Sequence, residues 1–102
     1  MPEVITKQIY SLDEIKQKAL PLFKRYDVVR AAIFGSYATG DQTEESDIDF
    51  LIEFTGRKSL LDLGGLKLNL EEAFCKSVDV ITFDSIDPHI RDGVIKEKIT
   101  IL

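Results

Sequence analysis

The chain of 102 residues is long enough for one hydrophobic core and too short for two, so we expect a single domain over residues 1–102. Its formal net charge of −5 argues against direct binding to nucleic acid, because affinity for a phosphate backbone depends largely on lysine and arginine. One cysteine, Cys75, excludes an internal disulfide, and the absence of a long apolar run predicts a cytoplasmic protein without a membrane span or signal peptide.

The first predicted element is a helix that begins after Ser11. The segment Ser11-Leu12-Asp13-Glu14 has the Ser-x-x-Glu form of a capping box, and an apolar face follows it. Pro21 lies within this helix and predicts a kink or a break. We interpret the helix as scaffold.

Two apolar runs, residues 28–34 and 48–54, predict strands on either side of a polar insert that starts with Gly35-Ser36. Gly35 lets a phosphate approach the backbone without a Cβ in the way, and the Ser36 hydroxyl can donate to a phosphate oxygen. Residues 36–39 could form a short helical turn whose N–H groups point at the same ligand.

The second strand starts within a pair of carboxylates. Asp47 and Asp49 are two residues apart and project from the same face of a strand, where their charges repel each other. A hard divalent cation such as Mg²⁺ removes this repulsion and keeps room for phosphate oxygens. The pattern therefore predicts a phosphate-binding turn that faces a metal-binding carboxylate pair.

A second long helix is predicted from Ser59 to about residue 74, with Gly64-Gly65 in its middle. The glycine pair has three explanations that the sequence leaves open: close packing, a bend, or room for a ligand. This helix has more leucines than one buried face needs, namely Leu60, Leu61, Leu68 and Leu70. Part of the helix is therefore a candidate interface, and a homo-oligomer is one possible use of it.

The last part of the chain predicts a strand, a helix and a short edge strand. Asp79 lies among apolar residues of the strand at 77–83, where an ionised carboxylate costs free energy unless it is paired with a cation or faces water at an edge. Asp87-Pro88 begins the final helix, in which we assign His89 no role, and residues 100–102 return as an edge strand. The fold class is α/β, with a small mixed sheet of three or four strands and helices mainly on one side.

The segment GSYATGDQTEESDID resembles the signature of the DNA polymerase β-type nucleotidyltransferase superfamily, which is Gly-Ser, ten residues, then Asp-x-Asp. In its smallest branch, the minimal nucleotidyltransferase (MNT) domains, one short chain carries little besides this motif. The similarity covers nearly the whole chain, and Asp79 matches the third carboxylate of the family. Many relatives have arginine where this chain has Thr39.

The resemblance implies transfer of AMP from ATP to an acceptor hydroxyl, with release of pyrophosphate. By the same resemblance, Asp47 and Asp49 would hold two Mg²⁺ ions, and Gly35 and Ser36 would hold the terminal phosphates. Asp79 would bind the metal on the acceptor side and act as general base.

The resemblance also implies a partner. MNT domains are usually paired with a HEPN-domain protein, a helical RNase toxin, and act as antitoxins by adding AMP to a toxin tyrosine. We favour this interpretation over two alternatives. One is modification of a small hydroxylated molecule, and the other is an antitoxin that neutralises its partner by binding alone.

Overall fold

The computed structural model describes residues 9–56 and 58–102, which alternate between helices and strands. In chain order the elements are α1 (Leu12–Arg25), β1 (Val28–Phe34), α2 (Ser36–Thr39), β2 (Ile48–Phe54), α3 (Leu60–Phe74), β3 (Val78–Thr82), a 3₁₀ turn (Phe83–Ser85), α4 (Pro88–Glu97) and β4 (Ile99–Thr100). Within this described part, none of the helices has the length and apolar character needed to cross a membrane.

The four strands form one mixed sheet in the order β3-β2-β1-β4, which confirms the predicted fold class. β1 pairs antiparallel with β2 and with β4, whereas β2 and β3 are parallel and are joined by the crossover through α3. Phe34 lies opposite Asp49, and Asp49 lies opposite Asp79. The register therefore places the end of β1 and the starts of β2 and β3 at one edge of the sheet.

The two faces of the sheet carry cores of unequal size. α1 and α3 cover one face, where the fully buried rings of Phe23, Phe50 and Phe74 lie next to one another. The other face has a smaller cluster that includes Leu51 and Ile86, partly covered by residues of the 3₁₀ turn and by Val94 of α4. Most helical packing is thus on one side, as predicted.

Both long helices begin with the capping chemistry expected from the sequence. Ser11 and Glu14 form a reciprocal capping box at α1, and Ser59 forms another at α3 with Asp62. Of the kink or break predicted at Pro21, the break does not occur, because α1 continues to Arg25. Pro21 is exposed, so water can satisfy the one carbonyl that the missing N–H leaves without its helical partner.

The packing of α3 explains one of its two glycines and shows which of its leucines are exposed. A Cβ on Gly65 would lie 3.0 Å from the Tyr26 hydroxyl, which accepts a hydrogen bond of 2.7 Å from Asn69. Close packing therefore explains Gly65, whereas a Cβ on Gly64 would meet nothing within 4 Å. Leu70 is fully buried, so it cannot belong to the predicted interface. The other three leucines are exposed, with exposed fractions of 85% for Leu60, 86% for Leu61 and 65% for Leu68.

Candidate active site

The Gly35-Ser36 turn forms where β1 gives way to the single helical turn of α2. Gly35 has φ 73° and ψ −151°, a combination essentially restricted to glycine. Its carbonyl accepts the backbone N–H groups of Ala38 and Thr39 at 3.0 and 3.1 Å. A Cβ added to Gly35 would collide with Oδ2 of Asp49. Glycine at this position thus allows the backbone of the turn to lie directly against a carboxylate of the next strand.

Asp49 and Asp79 form the centre of the candidate site. They are register partners on the two parallel strands, and the pKa of Asp49 responds to the carboxyl group of Asp79. Burial is the main cause that raises the pKa of Asp49 to about 7, followed by the charge of Asp79, the hydrogen bond between them, and the charge of Asp47. Asp49 is half-buried, whereas Asp47 and Asp79 are exposed. The like charges predicted from the sequence therefore meet in space.

These residues fit a hard divalent cation in their chemistry. Their donors are carboxylate oxygens, and a cation would relieve the crowding of charge that raises the pKa of Asp49. Over residues 9–56 and 58–102, however, no three His, Cys, Asp or Glu side chains are arranged to surround one ion. The structure thus brings Asp49 and Asp79 together with Asp47 beside them, and the ligand roles of the three residues stay predictions.

Lys76 holds the loop that leads into the carboxylates, a role that was not predicted from the sequence. Its side chain is 3% exposed, and Nζ donates a 2.8 Å hydrogen bond to the carbonyl of Glu44. The next residue, Ser77, accepts the backbone N–H of Ile48 at 3.2 Å. The chain before β3 therefore holds the chain before β2. No sequence pattern could identify this contact, because the partner of the lysine is a backbone carbonyl.

A cleft of about 390 Å³ opens beside Gly35, between the end of β1 and α4, and its volume lies in the range of small-molecule sites. Its walls contain none of the three aspartates; they are Phe34, Gly35, Thr39, His89, Gly93, Val94 and Glu97. It nevertheless lies on the same face of the sheet as Asp49, because Phe34 is opposite Asp49 in the register and belongs to the smaller core on that face. The contribution of α4 to this region was not foreseen from the sequence.

Comparison with known proteins shows similarity over nearly the full chain. A family model described as "Nucleotidyltransferase domain" matches residues 12–101. A protein of Methanocaldococcus jannaschii that is named as a protein adenylyltransferase, MJ0435, is 49% identical over 92 residues, which cover 90% of this chain and 99% of the relative.

Two solved structures show the same fold. One is described as a minimal nucleotidyltransferase and matches with a TM-score of 0.75 and 36% identity, over 86% of this chain and 90% of that one. The other is a complex of a tri-AMPylated Shewanella oneidensis HEPN toxin with an MNT antitoxin, of which a chain matches with a TM-score of 0.68 over 86% of this chain and 69% of that one. At 18% identity, this second match is a likeness of fold alone.

Proposed function

We propose, since the chain belongs to the nucleotidyltransferase domain family, that this nucleotidyltransferase moves AMP from ATP to a tyrosine hydroxyl of a HEPN-domain toxin and so acts as an antitoxin. The family match and the relative named as a protein adenylyltransferase support the class of reaction. The nucleotide, the acceptor and the dependence on Mg²⁺ are our proposals.

The observation that carries the proposal is the contact of the Gly35 turn with Asp49, next to Asp79. A glycine turn that lies against one of two crowded carboxylates serves no evident packing purpose on the exposed edge of a sheet. Together they suit a triphosphate, whose negative charge requires backbone N–H groups on one side and a cation held by carboxylates on the other.

In the proposed reaction, the acceptor oxygen bonds to the α-phosphorus of ATP as the bond between this phosphorus and the bridging oxygen breaks. Pyrophosphate leaves, and the hydroxyl proton passes to the carboxylate of Asp79, which is the exposed member of the pair. Ser36 and the backbone of the turn hold the outgoing phosphates. Mg²⁺ bound to Asp47, Asp49 and Asp79 would neutralise charge that develops on the attacking and leaving oxygens.

The partner is supported by charge and by precedent. The net charge of −5 complements a basic RNase surface. The complex of an MNT antitoxin with an AMPylated HEPN toxin is a precedent in a protein of the same fold.

The proposal is tested by incubating the protein with a HEPN toxin, Mg²⁺ and ATP labelled at either the α- or the γ-phosphate. Label from the α-phosphate alone should appear on the toxin, at a tyrosine identified by mass spectrometry. Asp47→Asn, Asp49→Asn and Asp79→Asn should each reduce transfer more than tenfold, whereas Asp13→Asn, an exposed aspartate in the first turn of α1, should not.

Three outcomes would count against the proposal as stated. Activity above a tenth of the wild-type value in an Asp49→Asn protein would remove that residue from the mechanism. Loss of the toxin's RNase activity without any transferred label would favour an antitoxin that acts by binding alone. Label on a small hydroxylated molecule, with none on the toxin, would point to the other alternative.

A further inference from the structure

One face of α4 is turned towards the cleft. His89, Gly93 and Glu97 are spaced by four residues, and all three line it. Phe34 at the end of β1 forms part of the opposite wall. The cleft therefore has a polar residue at each end of the α4 wall and a glycine between them.

The fold itself does not require glycine at position 93. Glycine in a helix interior lowers helix stability relative to alanine, and Gly93 lies inside α4. A Cβ at this position would meet nothing within 4 Å, so no described neighbour excludes a side chain. The consequence of the missing side chain is the open space of the cleft.

Charge decides which part of a nucleotide suits this space. Glu97 places a carboxylate in the α4 wall, which repels a polyphosphate, while Phe34 and Val94 offer apolar surface to an uncharged group. Gly35, which lies against Asp49, is at the boundary between the cleft and the carboxylates. A nucleotide that spans both regions would therefore place its phosphates at Gly35-Ser36 and its neutral end towards α4.

We propose that the cleft between β1 and α4 binds the nucleoside half of the nucleotide, with Gly93 as the residue that makes room for it. This inference rests on the proposed function for the identity of the ligand. Glu97 can accept hydrogen bonds from ribose hydroxyls or from an exocyclic amino group, and the Thr39 hydroxyl, which donates to Asp41 Oδ2 at 3.0 Å, can accept one at the cleft.

The test fills the cleft and compares two ligands. Gly93→Met adds a flexible apolar side chain in the cleft, and Gly64→Met is the matched control, because Gly64 is also a helical glycine with open space at its Cβ. Calorimetric titration uses α,β-methylene-ATP with Mg²⁺, in which the bond to be broken is resistant, and inorganic triphosphate with Mg²⁺. Both substitutions should raise the melting temperature, since methionine is the better helix former.

We expect Gly93→Met to weaken binding of α,β-methylene-ATP at least tenfold and to leave triphosphate binding unchanged, while Gly64→Met matches the wild type for both ligands. A second pair of variants does not depend on filling the cleft. Glu97→Lys should tighten triphosphate binding several-fold and so reduce the difference in affinity between α,β-methylene-ATP and triphosphate. The control Glu72→Lys, at an exposed position of α3, should leave this difference unchanged.

Wild-type affinity for α,β-methylene-ATP in Gly93→Met would overturn the inference. Equal losses for the nucleotide and for triphosphate would also overturn it, because the cleft would then hold phosphates. If the wild type binds the nucleotide and Gly93→Met loses it, but no AMP reaches a toxin, the proposed acceptor fails while the nucleoside cleft stands. If the wild type binds neither ligand, both proposals fail.

Discussion

Replacing Asp49 by asparagine should make the protein more stable at neutral pH. The shift of the Asp49 pKa from 3.8 to about 7 means that the folded state disfavours the ionised carboxylate. A pKa difference of this size corresponds to about 4 kcal/mol for a group fully shielded from solvent. Because Asp49 is only half-buried, we take about half of this value, roughly 2 kcal/mol. Asparagine keeps the shape, removes the charge and can donate to Asp79.

The direction of the pH dependence follows from the two pKa values. A folded-state pKa above that of the unfolded chain favours the folded protein at low pH, and this advantage is lost between about pH 4 and about pH 7. The gap between Asp49→Asn and wild type should therefore be small near pH 4 and reach roughly 2 kcal/mol at pH 7.5. For a domain of this size, that corresponds to a rise in Tm of about 10 °C.

Urea and thermal unfolding at pH 4.5 and pH 7.5, in a chelator, measure this gap. Asp13→Asn serves as the surface control and should show no gain at pH 7.5. Adding Mg²⁺ should stabilise the wild type by about 2.7 kcal/mol at a hundredfold excess over its Kd, which is enough to close the gap. A gap that is equal at both pH values, or an Asp49→Asn protein less stable than wild type at pH 7.5, would refute the electrostatic argument.

Three further substitutions test the parts around this centre. Gly35→Ala should cost at least about 2 kcal/mol in urea unfolding, from backbone strain and the collision with Asp49, whereas Gly40→Ala, with φ 85° and no neighbour within 4 Å, should lose only about 1 kcal/mol; equal losses would show that the collision is relieved at no cost. Lys76→Met should lower kcat for AMP transfer even where the protein remains folded, because the loop before β2 loses the hydrogen bond from Lys76 Nζ to the Glu44 carbonyl. An unchanged kcat would exclude a positioning role. Thr39→Arg should lower the KM for ATP, since position 39 ends the helical turn that begins at Ser36 and so lies near the proposed phosphate site, and an unchanged KM would show that the side chain does not reach the phosphates.

The features that could be predicted from the sequence are those encoded by nearby residues. Alternating and β-branched residues identified β1, β2 and β3, and the Ser-x-x-Glu pattern located the start of α1. Gly35 and Asp49 were placed together because a short insert between adjacent antiparallel strands must bring their ends side by side. The recognition of the family followed from this same local motif.

The features that could not be predicted depend on contacts between distant parts of the chain. Lys76 is buried on a carbonyl that lies 32 positions earlier, so no local pattern marks it. Leu70 and Leu68 look alike in the sequence, yet one is fully buried and the other 65% exposed, because the phase of α3 against the sheet is a tertiary property. The cleft joins α4 to the end of β1, and only the folded chain shows that Gly93 and Gly35 line the same space.

The unequal faces of the sheet explain how a small domain can hold a destabilising site. Ionised Asp49 opposes folding by roughly 2 kcal/mol, which is a large fraction of the stability of about 5–15 kcal/mol that is usual for a folded protein. The large aromatic core under α1 and α3 lies on the opposite face of the sheet, so the unfavourable charge of Asp49 lies outside this core. The face that carries Asp49 has only a small cluster of buried residues, so its packing is incomplete around the cleft. A tighter cluster there would add apolar contacts, but it would close the space beside Gly35 and bury Asp49 further, which would raise its pKa and the cost of ionising it. The incomplete packing of this face is therefore consistent with a carboxylate that stays half-buried and limits the cost of its charge.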